Sequence, residues 1–226
     1  MSKKVNNPVD ESKVNVAEVY SKTEKYVDDN RNTLLIIAAI LVVLFAGYFA
    51  VTRLYLQPRS EEAMNLMWKA EYWFEIDSLD RALIGNESYY GFEYIADEYS
   101  NTNAGDLASY YAGIIYLKKG DYQMALNHLK NADLKDAIVG AMAKGSMADA
   151  YVQLGNYNQA ISLYSDAIKH SKNTLTTPMY LKKQGLVYED QGKFKEALAN
   201  YKRIKDDFPT STEARSIDSY IARVGG

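Results

Sequence analysis

Histidine and cysteine, the side chains best suited to nucleophilic and metal chemistry near neutral pH, number two and none in this 226-residue sequence. The two histidines, His128 and His170, lack a second donor at a metal-ligand spacing. His128 precedes Leu129 in a helical pattern and is expected to point outward. His170 falls near the end of a helical run, where a cation suits the carbonyl end of the helix dipole. Cysteine is absent, which removes thiolate nucleophiles, thiolate metal sites and disulfides. There is no glycine-rich phosphate loop, nucleophile elbow or HExxH pair. The adjacent acids Asp28-Asp29 and Asp206-Asp207 read as solvated faces and turn caps. With 26 basic against 29 acidic residues, the chain has no basic nucleic-acid face. The expectation is a protein that is not an enzyme and has no cofactor, and whose chemistry is recognition of other proteins.

The elements that would present a recognition surface are written in a repeat. Gly113, Tyr116, Gly120, Tyr122, Ala125, Leu129 and Ala132 set the spacing. Ala148, Tyr151, Gly155, Tyr157, Ala160, Tyr164 and Ala167 reproduce it 35 residues on (148 − 113). Gly185, Tyr188, Gly192, Phe194, Ala197, Tyr201 and Ile204 reproduce it again after 37 (185 − 148). Small residues at 113, 148 and 185 let a first helix approach its partner. Glycines at 120, 155 and 192 end that helix in a left-handed residue. Asp121 and Asn156 can cap the second helix, Lys193 less well. Alanines at 125, 160 and 197 mark the crossing of the two helices.

This spacing resembles the tetratricopeptide (TPR) repeat, whose period is near 34 residues. The resemblance implies an all-α fold, a solenoid of stacked helix pairs with its first helices lining a groove. Three copies are clear, and 55–105 reads as a linker with a degenerate first pair. By the usual spacing of this repeat the groove residues are Leu107, Tyr110, Ile114 and Leu117, then Met142, Asp149 and Val152, then Met179, Lys182, Leu186 and Glu189. Each apolar member could equally pack against the neighbouring repeat. Tyr110 and Ile114 stand where a basic carboxylate clamp would need Lys and Asn.

Elsewhere, helix 61–78 places Ala63, Leu66, Met67, Ala70, Trp73 and Phe74 on one face. A turn at Gly85-Asn86 leads to a second helix over 89–99 with Phe92, Ile95 and Ala96 inward. Thr176-Thr177-Pro178 reads as the cap and first-turn proline of the third repeat. The repeats span 106–208. Pro209 ends the last pair, and 209–226 supplies a closing helix with Ile217, Tyr220, Ile221 and Val224 inward.

Ahead of the repeats, 33–52 carries no charge and is bracketed by Arg31 and Arg53. As a helix it is about 30 Å long, the thickness of a bilayer's hydrocarbon core. Residues 32–54, with Leu34, Ile37, Leu41, Leu44, Phe45 and Tyr48, read as a single transmembrane helix. A buried core helix or a cleaved signal peptide are the bland alternatives. Pro58 is expected to break the helix beyond it, with Ser60-Glu61-Glu62 capping the next one. The tail 1–31 holds six basic and six acidic residues, is irregular over 1–10, and from Val14 could form an amphipathic helix. Basic residues near the span favour a cytoplasmic N-terminus.

The order of parts (a short tail with EKYVDDNR at 24–31, one span, then the repeats, with YIADEYSNT at 94–102) resembles the YfgM-like family of bacterial inner-membrane proteins. That resemblance implies an ancillary subunit of the Sec translocon (SecYEG-type), with its repeat domain in the periplasm. It would act there with a PpiD-type membrane-anchored prolyl isomerase on emerging exported proteins. A structural scaffold of another cell-envelope assembly is the alternative.

Overall fold

The computed structural model of the chain describes residues 24–170 and 172–225. The irregular tail 1–10 and most of the amphipathic segment expected from Val14 lie outside them. Residues 24–29 are helical, with Tyr26 and Val27 exposed. The chain divides into two units, Met1–Tyr55 and Leu56–Gly226.

In the first unit the uncharged run forms α1 (Arg31–Ala50), in which no residue is buried. A soluble core helix would hide one face, so that reading is set aside. Ile37, Leu41, Leu44, Phe45 and Tyr48 are exposed and Leu34 is half-buried. The helix is long and apolar enough to cross a membrane.

Pro58 does not break the helix as expected. It stands in the first turn of α2 (Gln57–Glu75), where its missing N–H costs little. The turn before it, Val51–Leu56, is a π-helix. A π turn is one way a helix accommodates a proline just after it without breaking. Ser60 is therefore an interior helical residue, not a cap.

The second unit builds its core from alanines where helices cross and from large side chains between them. Ala63, Met67 and Ala70 of α2 face inward, with Leu66, Trp73 and Phe74 packed beside them. A short helix α3 (Leu79–Ile84) and a hairpin of β1 (Gly85–Asn86) with β2 (Tyr89–Tyr90) follow. The spacing predicts only a turn there. Then comes α4 (Phe92–Glu98), burying Phe92, Ile95 and Ala96 as expected.

The repeats form the pairs α5 (Asn103–Lys119) with α6 (Tyr122–Asn131), α7 (Val139–Gln153) with α8 (Tyr157–His170), and α9 (Thr176–Asp190) with α10 (Phe194–Asp207). Successive first helices α5, α7 and α9 also touch one another. Gly120, Gly155 and Gly192 have φ of +80°, +73° and +68°, the left-handed residue each helix end needs. Ala125, Ala160 and Ala197 are all fully buried. This is the packing of a tetratricopeptide-repeat solenoid. A 3-10 turn (Glu213–Ser216) and α11 (Ile217–Val224) close its C-terminal end, burying Ile217 and Val224.

The first helix of each pair, and the 3-10 turn that follows the last pair, is preceded by a side chain that accepts from the amide three residues on. Thr102 Oγ1 accepts from the Gly105 amide at 3.1 Å, and Asp136 Oδ1 from the Val139 amide at 2.9 Å. Asn173 Oδ1 accepts from the Thr176 amide at 2.7 Å, and Ser211 Oγ from the Ala214 amide at 3.2 Å. Thr176 and Thr177, expected as caps, are instead fully buried and hydrogen-bond back to Asn173. The amides of Val139 and Ile138 hold the Asp136 carboxyl below its ordinary range.

Candidate protein-binding groove

The expected groove residues divide into those with free surface and those the fold already uses. On α5, Tyr110 is only 7% exposed and packs with Ala125, Leu129 and Ala143. Burial, together with neighbouring Tyr111, pushes its phenol up to about 12. It belongs to the interior and not to an open lining. Leu107, Ile114 and Leu117 are half-buried against the same cluster. Met142 and Val152 of α7 and Met179 of α9 are half-buried too, and Leu186 is the most open of the set at 41%.

The charged members are held. Asp149 accepts from the Tyr164 hydroxyl at 2.5 Å and from Lys183 Nζ at 2.6 Å, tying α7, α8 and α9 together. Glu189 accepts from the Tyr201 hydroxyl at 2.5 Å, and from Arg223 Nε and Nη2 at 2.7 Å each. It ties α9, α10 and α11 in the same way. Lys182 lies over the Tyr220 ring, 4.7 Å from its centroid. On α9, then, Lys182 and Glu189 face the closing helix. The partners Lys183 and Arg223 were not singled out from the sequence. The signal was present, because each carboxylate has its cation 34 residues on, one repeat length away.

The tyrosine hydroxyls follow from this arrangement. Burial first, then the charge and hydrogen bond of Asp149, drives the Tyr164 phenol well above its usual range. Tyr201 is raised by burial and by Glu189. These phenols donate and do not ionise, so they are structural ties. Burial works against ionisation of Glu189, but the bonds from Arg223 and Tyr201 outweigh it and hold its carboxyl low.

A carboxyl lowered by folding contributes stability above its unfolded pKa and loses it as pH falls through the folded value. Acidification from neutrality to below the usual carboxylate range is therefore expected to loosen α11. Glu189→Gln should loosen it already at neutral pH and flatten the dependence. Hydrogen exchange of 217–224, corrected for intrinsic rates, measures both; protection unchanged on acidification would show that the pair does not hold the helix.

Among the described residues no group of three or more His, Asp or Glu converges to hold a metal ion. His128 does not point outward as expected; its ring is half-buried and stacks on Tyr116 with centroids 5.4 Å apart. His170 Nε2 donates to the Asp136 carbonyl oxygen at 2.9 Å, bridging the end of α8 to the loop before α7.

In comparisons with known proteins, residues 146–212 match the family described as tetratricopeptide repeat, from within α7 to just past α10. A comparison with curated proteins gives no match. The coarse reading is a module for contact with other proteins, built on tetratricopeptide-type repeats.

Proposed function

We propose that the chain is a membrane-anchored, protein-binding subunit of the bacterial inner membrane, an ancillary component of the Sec translocon. Its N-terminus is cytoplasmic and its repeat unit periplasmic. The span docks on translocon subunits, and the open part of the first-helix surface holds a PpiD-type prolyl isomerase or exported chains. The observation that carries this reading is the joining, in one chain, of a helix of membrane-spanning length with no buried residue and a tetratricopeptide-type stack. The resemblance of the tail, span and repeat order to YfgM-like proteins supports the partner. No step in it requires catalysis.

Photo-crosslinking in living cells tests it, with one probe at Leu41 in the span and another at Leu186. The Leu41 probe is expected to reach translocon subunits, and the Leu186 probe the isomerase or emerging chains. Met179→Glu with Leu186→Glu should lower recovery of the Leu186-side partner roughly tenfold, because a buried unpaired carboxylate opposes apolar contact. Crosslinks confined to another envelope assembly would replace the translocon reading with that of a scaffold.

A further inference from the structure

We propose that the outer face of α2 is a second docking site, separate from the first-helix surface, and that its occupant is an amphipathic, positively charged helix of a partner protein. The inner face of α2 is already spent on Ala63, Met67 and Ala70. Yet Met64, Trp68, Tyr72 and Ile76 run down the opposite side at four-residue spacing, 48%, 59%, 53% and 52% exposed. Twelve residues of helix span about 18 Å, so the stripe is about three turns long. A helix apolar on both sides normally has neighbours on both.

The position of the stripe in the stack makes it unusual. End elements of a solenoid need a polar outer face. The C-terminal end obeys this, because the residues that α11 leaves exposed are Asp218, Ser219, Ala222 and Arg223. The first helix of the second unit turns out methionine and aromatic residues, the types enriched where proteins bind. Beside Trp68 the hairpin β1–β2 walls a pocket of about 230 Å³, lined among others by Asn65, Glu87 and Tyr90. It has room for one large side chain. Lys69 lines the same pocket and already lies over the Trp68 ring, 5.4 Å from its centroid, so the side chain the pocket takes is apolar and the partner's cations belong at the ends of the stripe.

Charge selects the occupant. Residues 56–100 hold three basic and ten acidic side chains, a net of −7, whereas 101–226 hold 16 basic and 13 acidic, a net of +3. Glu61 and Glu75 lie on the stripe's own face, one turn before Met64-Asn65 and one turn after Tyr72. A second copy would set these carboxylates against their own kind, and an anionic lipid surface would be repelled. A helix with about three turns of apolar residues and Lys or Arg at each end meets both the stripe and its acids.

The test uses the full-length protein in cells that make it, with a photo-crosslinking amino acid in place of Tyr72, an exposed position. Crosslinked segments are sequenced by mass spectrometry. The expected product is a segment of another protein, with net positive charge and apolar residues at three- and four-residue spacing. Glu61→Lys with Glu75→Lys is expected to cut its yield about tenfold while crosslinking from Leu186 stays unchanged. Circular dichroism checks that the variant is folded. If it is not, Glu61→Gln with Glu75→Gln serves, with an expected loss of about threefold. Crosslinks only to lipid, to a second copy or to an acidic segment overturn the proposal. So does the absence of any crosslink, or a yield indifferent to the glutamates.

Discussion

Tyr201→Ala is expected to destabilise the C-terminal repeat by about 3–5 kcal/mol, the range for removing a fully buried aromatic side chain. Tyr201 has no exposed surface. Its ring lies so close to α9 that a Cβ at Gly185 would come within 2.4 Å of it, and it packs against Tyr220 with centroids 5.4 Å apart. Its hydroxyl holds Glu189. Truncation opens a cavity where α9, α10 and α11 meet. Tyr201→Phe keeps the ring and loses one bond to a carboxylate that Arg223 still satisfies, so about 1 kcal/mol is expected. Urea unfolding of the full chain in detergent, followed by circular dichroism, measures the global cost, and hydrogen exchange locates it. A loss below about 1 kcal/mol for Tyr201→Ala would contradict the packing described.

The second large effect is expected at Gly105, in the first turn of α5. A Cβ there would stand 2.0 Å from the carbonyl oxygen of Tyr99 and 2.5 Å from its carbon. Both are backbone atoms, so no side-chain rotation relieves the contact. The Gly105 amide is also the one that Thr102 caps. Gly105→Ala must push α5 away from α4 and stretch that bond, at about 2–3 kcal/mol. Gly155→Ala is the control. It has a left-handed φ of +73° but nothing within 4 Å of a new Cβ, so only backbone strain of about 1 kcal/mol is expected. Equal unfolding midpoints for the two variants would show that the approach of Tyr99 to Gly105 does not matter.

Most of the stack was legible because its constraints are local. A left-handed helix end demands glycine, and a close crossing demands glycine or alanine. Both recur at fixed spacing at 113, 148 and 185, at 120, 155 and 192, and at 125, 160 and 197. The inward faces of α2 and α4 followed from period alone. The failures have a common cause, since each depended on something outside the period. Pro58 reads as a breaker until the π turn before it is known. The helix α3 and the hairpin at 85–90 are too short to leave a periodic trace. Asn173, not the more obvious Thr176-Thr177, caps α9, because residues alike in type compete and only geometry decides. The groove was the least legible part. Periodicity places Tyr110, Asp149 and Glu189 on a first-helix face, but cannot tell that Tyr110 is enclosed, that Lys183 claims Asp149 or that Arg223 claims Glu189.

Asp149 and Glu189 each join a helix pair to the helix that follows it. A chain pulled from its C-terminus would meet these ties in order, each sheared across several bonds at once. Extension should then proceed in discrete steps, with α11 peeling first and each later rupture releasing about one repeat. These two carboxylates give the stack a graded resistance to tension applied at its C-terminal end.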